Sequence, residues 1–179
     1  MTSPTSVRLI DVADAPVITR HLVSDLDANV RWLPVRPDGF YTEDGQARWI
    51  EHLLDTHAKG GGWPGVIVAD GTVVGQIAVS TILRGSFQKG FLGYWVASAF
   101  QGRGHASRAV EQVVRISAEE LGLHRLEAHT QLENLASHRV LTRNGFRSWG
   151  IAHEHFYSDG AWHDEVFWER MLVPGERAR

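Results

Sequence analysis

The chain has 179 residues and no cysteine, which excludes disulfides and thiolate metal sites and fits a reducing cytoplasm. With 43% hydrophobic and 22% charged residues it has the mix of one globular domain, expected to span residues 1–179 with its core over about 7–172. A formal net charge of -3 speaks against coating nucleic acid through bulk charge, no apolar run is long enough to cross a membrane, and Met1–Ser6 lacks the marks of a secretory signal.

In chain order, Val7 to Val12 alternates as a first strand. Asp14 ahead of Ala15 and Pro16 marks a helix start, because aspartate caps free amides and proline suits the first helical position; this helix runs toward Leu26. Arg31 to Gly39, with Trp32, Pro34 and Pro37, reads as an irregular loop. Thr42, followed by Glu43 and Asp44, opens a second helix whose Ala47, Ile50, Leu53 and Leu54 form an apolar face, and three glycines from Gly60 end it. Val66 to Ala69 and Thr72 to Ile82 flank the turn pair Asp70-Gly71 as a hairpin, and Phe91 to Ala97 is a further strand.

From Gly104 onward, Ala106, Ala109, Val110, Val113, Val114, Ala118 and Leu121 recur at helical spacing until Gly122. Arg125 to Thr130 is a strand, and Asn134 opens a short helix that Gly145 closes. His153 to Tyr157 and Trp162 to Leu172 form a last hairpin around Asp159-Gly160. This order implies an α/β (α+β) fold with a mixed, mostly antiparallel sheet flanked by helices. No repeat or linker marks a domain boundary.

Ten histidines raise the question of a metal. His153 and His155 flank Glu154, and His124, His129 and His138 lie nearby, but none has the helical His-Glu-x-x-His spacing that aims two ligands from one face. The expectation is no metal site.

The chemistry concentrates between Tyr94 and Ser107, where a strand ends, a glycine-bearing loop follows and a helix begins. Gly102 and Gly104 allow close backbone approach, the first-turn amides of the new helix suit an anion such as a pyrophosphate, and Arg103 adds positive charge. Glycines alone point more to an ordinary strand-to-helix connection than to a ligand loop. A P-loop is excluded because no Gly-Lys-Ser or Gly-Lys-Thr occurs, and a dinucleotide fingerprint would need a glycine where Ser107 stands.

The pattern Gln101-x-x-Gly104-x-Ala106 resembles the coenzyme A loop of the GNAT N-acetyltransferases, and the order of elements around it agrees over nearly the whole chain. Within that superfamily, Arg84-Gly85-Ser86-Phe87, Leu92-Gly93-Tyr94, Gln101-Gly102-Arg103-Gly104, His124-Arg125 and Asp159-Gly160-x-Trp162 are similar to the RimJ/RimL branch of ribosomal-protein N-acetyltransferases, its RimJ side most of all. The resemblance implies a single-domain GNAT fold whose central strands splay at the coenzyme A loop. It also implies acetyl-CoA as cosubstrate, with no metal, and a primary amine as acceptor.

Carried over residue by residue, the resemblance assigns backbone groups of Tyr94, Trp95 and Val96 to the pantetheine arm, with the Val96 amide on the thioester oxygen as it becomes an oxyanion. Gln101, Gly102, Arg103, Gly104, His105, Ala106 and Ser107 form the pyrophosphate loop, and Asn134 bonds the pantetheine. Asn134 equally suits a helix N-cap, and the two roles are compatible. Where many members carry a proton-donating tyrosine, this chain has Leu141. The branch has a serine instead, here Ser137, one turn after Asn134, as a donor to the departing sulfur and a contact to the cofactor; a small packing serine is the plain alternative.

An amine must lose a proton before it attacks. Glu154, on the strand after the Asn134 helix, is the first candidate base, although Phe156 stands where similar sequences carry glutamate; residues two apart on a strand share a face. Glu127 is the second candidate, and a solvated carboxylate is the plain reading of either. Trp32, Trp63, Trp95 and Tyr157 are candidates for the acceptor side, with Arg31 to Tyr41 as a gating loop.

The expected function is transfer of an acetyl group from acetyl-CoA to the N-terminal α-amino group of a ribosomal or other protein. The alternatives are a small-molecule amine acceptor and a non-catalytic acyl-CoA-binding module. Neither nucleic acid nor membrane is an expected partner, and the chain is expected as a monomer or homodimer in the cytoplasm.

Overall fold

The computed structural model describes residues 4–172. The first and last residues of the expected domain, including half of the segment read as lacking a signal, lie outside the described residues. Seven strands form one sheet in the order β1-β2-β3-β4-β5-β7-β6. They are β1 (Thr5–Leu9), β2 (Trp63–Ala69), β3 (Thr72–Leu83), β4 (Lys89–Val96), β5 (Arg125–Gln131), β6 (Arg147–Ser158) and β7 (Ala161–Met171). The helices are α1 (Ala15–Ser24), the short α2 (Leu26–Asn29), α3 (Glu43–Ala58), α4 (His105–Glu119) and α5 (Leu135–Arg143). The family fold expected from the sequence is the one observed.

Strand composition explains the layers. β2 is an almost continuous apolar run because helices cover both of its faces. Ile67, Val74 and Ile77 turn to α4, whose Ala109, Val110, Val113 and Val114 meet them in the main core. Val66 and Val73 turn the other way, to Ile18 and Leu22 of α1 and Ile50 of α3. Every strand pair is antiparallel except β4–β5. That parallel pair holds only at Lys89–Arg125, Gly90–Leu126 and Phe91–Glu127, after which the strands part. The gap so opened is what positions the site.

Several boundaries differ from expectation, and two of them have a clear local cause. The first strand is Thr5–Leu9, not Val7 to Val12, because Asp11 leaves the sheet to cap a 3-10 turn, its carboxylate accepting from the Ala13 N–H at 2.8 Å. β6 begins at Arg147, well before His153, because pairing with β7 carries it through Gly150, with register shifts on either side of the segment from Gly150 to Ala152.

Candidate active site in the splay of the sheet

Val96 ends β4 opposite Gly75. The next residue, Ala97, donates its N–H to the Val74 carbonyl at 2.9 Å, so Gly75–Val96 is the open kind of antiparallel pair. Val96 therefore turns its own N–H away from β3, toward the gap between β4 and β5. Tyr94 is in the same phase, whereas Trp95 is turned to β3, where its indole donates to Gln76 Oε1 at 3.0 Å. Of the three backbone positions expected on the pantetheine arm, Tyr94 and Val96 face the gap and Trp95 does not.

The loop that follows is closed by Gln101, whose side-chain amide donates to the Val96 carbonyl at 2.8 Å. Gly102 and Gly104 have φ of +73° and +78°, conformations that favour glycine. Gly104 is the N-cap of α4 with no side-chain cap, so first-turn amides of that helix are left for a ligand. His105 contributes through its backbone only. Its ring is buried against β1, where the Thr5 hydroxyl lies 2.9 Å from Nδ1. Arg108 Nε donates to that same hydroxyl at 2.8 Å, so the hydroxyl's own hydrogen goes to Nδ1 and the ring is neutral. Burial, and then the charges of Arg108 and Arg103, hold the His105 pKa below the usual histidine range.

Across the gap, Asn134 caps α5 with its Oδ1 accepting from the Ser137 N–H at 3.1 Å. Its side-chain NH2 makes no hydrogen bond among the described residues. Ser137 lines the cleft, and its backbone carbonyl accepts from the Tyr94 hydroxyl at 3.4 Å. Burial pushes the Tyr94 phenol up to about 12. Leu141, at the position where the resemblance would place a proton-donating tyrosine, is 0% exposed and belongs to the main core.

A cleft of about 780 Å³ runs from Gly102–Ser107 and Asn134–Ser137 through the gap to Trp32, Leu33, Pro34, Arg36 and Trp49. The expected gating loop thus walls the far side, with Trp49 of α3 added. Its backbone is pinned at Arg31, whose carbonyl accepts from Gln131 and, at 2.7 Å, from Ser158. Arg36 lies over Phe40 and Trp49, 4.6 and 5.2 Å from their ring centres, and burial lowers its pKa. No carboxylate pairs with it among the described residues. Trp63 is core and Tyr157 is on the outer surface, so neither serves the acceptor side.

The carboxylates sort differently from expectation. Glu154 does not reach the cleft. The register with β7 slips between Ala152 and Phe156, Glu154 takes a φ of +48°, and its N–H donates to Asp164 Oδ1 at 2.8 Å while its side chain meets solvent. Glu127 is buried but committed to Lys89 at 3.0 Å and Arg125 at 2.7 Å. Two carboxylates line the cleft: Asp25, which accepts from the Ser98 N–H at 2.6 Å, and Glu165 of β7, 4% exposed.

His129 Nδ1 of β5 and His155 Nδ1 of β6 lie 3.0 and 2.7 Å from Glu165 Oε2. Burial alone would raise the Glu165 pKa, but the bonds from His129 and His155 bring it below the usual glutamate range. An ionised carboxylate only accepts, so both Nδ1 atoms carry hydrogen. The three side chains offer donor atoms within 4.8 Å of one another, the sole grouping among the described residues that could hold a metal. Their separations are those of charge-assisted N–H···O bonds, which account for the group without an ion. No sequence spacing joins positions 129, 155 and 165. The one signal was an acidic residue set into the apolar run Val166 to Trp168.

The sequence profile of the acetyltransferase (GNAT) domain matches residues 6–147. The chain is 33% identical over 160 residues, 88% of each protein, to a probable N-acetyltransferase, YjcK, of Bacillus subtilis. It is 27% identical over 162 residues to the ribosomal protein uS5-alanine N-acetyltransferase of Escherichia coli, covering 89% of this chain and 84% of that one. The solved structure of Mycobacterium smegmatis RimJ in complex with CoA-disulfide superposes with a TM-score of 0.94 at 27% identity, over 99% of this chain and 87% of that one. The chain belongs to the GNAT acetyltransferases. It is an acetyl-CoA-dependent N-acetyltransferase with RimJ/RimL-like relatives.

Proposed function

We propose that the acceptor is the α-amino group at the N-terminus of a protein. The observation that carries this reading is the cleft: a partly open trough that passes through the sheet, walled by flat aromatic side chains and by the carboxylates of Asp25 and Glu165, room for a chain end. The uS5-alanine N-acetyltransferase of Escherichia coli and the RimJ of Mycobacterium smegmatis support it, since this chain is similar to both over most of its length.

In this reading the loop amides from Gly102 to Ser107 hold the pyrophosphate, and Tyr94, Val96 and the Asn134 side-chain amide hold the pantetheine. The amine attacks the thioester carbonyl from the far side of the gap. The Val96 N–H bonds the oxygen as it gains charge, and Ser137 donates to the sulfur as the carbon–sulfur bond breaks. An α-amino group, with a pKa of about 7.7–8.0, gives up its proton more readily than a lysine at about 10.4. The reaction belongs in the cytoplasm, with acetyl-CoA and a nascent or folded protein as partners.

A second reading rests on Arg36, whose guanidinium lines the cleft with no carboxylate paired to it among the described residues and suits a small amine that also bears a carboxylate. One screen separates the two: thiol release from acetyl-CoA with N-terminal peptides, amino acids, polyamines and aminoglycosides. Turnover of peptides, with the acetyl group on the α-nitrogen by mass spectrometry, is expected. Turnover of small amines alone would overturn the protein-acceptor reading.

A further inference from the structure

We infer that His129 is the base that takes the proton from the acceptor amine, held in its working tautomer by Glu165. The inference deepens the proposed function and rests on transfer to an amine at this cleft. Its footing is where the strands part. The last β4–β5 pair is Phe91–Glu127, and His129 is the next residue of β5 on the same face, two positions into the gap. That face also carries Gln131, which binds the loop at Arg31, so His129 stands on the acceptor side. Its ring is fixed on three sides, stacked on Phe167 at 5.4 Å and edge-on to Phe91 at 5.8 Å and His155 at 5.5 Å.

The protonation pattern follows from the partners. Nδ1 lies 3.0 Å from the ionised Glu165 Oε2 and keeps its hydrogen against it, so a neutral His129 holds its lone pair on Nε2, which bonds nothing among the described residues. A buried carboxylate behind one imidazole nitrogen and a free lone pair on the other is the arrangement that makes histidine a directed base. Glu165 also stabilises the imidazolium once it forms. His155, bonded to the same oxygen but not lining the cleft, is a second positioning residue that keeps Glu165 in place. Lys89, Arg125 and Glu127 lie along the same face, and their charges are engaged with one another.

The step balances. One proton of the ammonium group passes to Nε2, and the freed lone pair forms the carbon–nitrogen bond. A second proton leaves the nitrogen as the tetrahedral centre collapses, the carbon–sulfur bond breaks, and the departing thiolate takes up one proton. The imidazolium returns its own to solvent.

The test uses the full chain, with the best amine found by the thiol-release screen and the same acceptor begun by an aminooxyacetyl group, whose nitrogen is unprotonated at neutral pH. His129→Gln and Glu165→Gln are expected to lower kcat about a hundred-fold with the ordinary amine. They should leave the Kd for acetyl-CoA unchanged and regain rate as pH rises, and with the aminooxy acceptor they should lose little. A structural role would depress both acceptors alike, and that result overturns the inference, as does parental kcat in a folded His129→Gln. If small amines replace peptides in the screen, the protein-acceptor reading fails there, and the same variant comparison still decides the role of His129.

Discussion

The Asn134 carboxamide oxygen accepts the Ser137 N–H at 3.1 Å, which leaves the carboxamide NH2 without a hydrogen-bond partner among the described residues. Cap and ligand roles can therefore be separated. Asn134→Asp keeps an acceptor of equal capping strength but has no NH2 to give. Its melting temperature should match the parent, while acetyl-CoA should bind about ten-fold more weakly by calorimetry. Asn134→Ala should lose both binding and about 1 kcal/mol of stability.

Ser137→Ala should lower kcat more than it weakens cofactor binding, because a bond to the departing sulfur is strongest in the transition state. The expected loss is roughly ten- to a hundred-fold, or about 1–3 kcal/mol. Leu141→Ala one turn on should do the reverse, lowering the melting temperature by opening a core cavity that costs about 2–5 kcal/mol, with no specific loss in kcat. Steady-state kinetics beside thermal melts reads both. A fully active Ser137→Ala enzyme would make water the proton source.

Gly104→Glu should abolish acetyl-CoA binding in a chain that still folds. A Cβ there would lie 2.8 Å from Arg108 Nη1, the movable end of a side chain, so the strain comes mainly from the left-handed φ of +78°. The carboxylate would repel the pyrophosphate. Unchanged affinity by calorimetry would overturn the assignment of the loop.

Gly75→Ala is expected to damage both fold and site. A Cβ at Gly75 would lie 2.1 Å from the Trp95 carbonyl oxygen and 2.9 Å from Val96 Cα, and neither backbone atom can swing aside. The strands must part where Val96 presents its N–H, at a cost of about 3 kcal/mol. Thermal melts should show the loss of stability, and kinetics on the residual folded enzyme should show a lowered kcat.

His105 gives the chain an acid-sensitive contact. Burial and the charges of Arg108 and Arg103 depress its folded pKa, against a weaker opposite pull from Asp70. The unfolded chain therefore binds a proton more readily than the folded one. The contribution is complete above the unfolded value of about 6.5 and is lost as pH falls below it toward the folded pKa. Melting temperature against pH should fall less steeply on the acid side for His105→Gln than for the parent.

The strand, glycine loop and helix on one side of the cleft were legible in the sequence and the side-chain cluster on the other side was not, for a physical reason. Gly102, Gly104 and the apolar stripe of α4 are local signals, since positive φ and helical periodicity are settled within a few residues. Glu154 was placed by strand alternation, which holds only while a strand stays regular. At the slip between Ala152 and Phe156 two extra residues are accommodated, and Glu154 turns out to solvent at a φ of +48° while Phe156 keeps the face of Ala152 and lines the cleft. The meeting of His129 with His155 and Glu165 depends on the order β5-β7-β6, which lays the last hairpin beside a strand from before α5. Nothing in the spacing of those residues records it.

The irregularity in β6 has a second effect. β6 is the outermost strand, and Trp149, Ile151 and Tyr157 on it, with Trp162 on its partner, are exposed. A straight strand so decorated would offer a continuous row of free amides and carbonyls, a template on which another copy could stack and seed insoluble fibres. The slip divides that row into two short pieces, and the Glu154 N–H is turned inward to Asp164. The same kink that removes Glu154 from the cleft leaves the edge of the sheet too broken for a stray chain to extend.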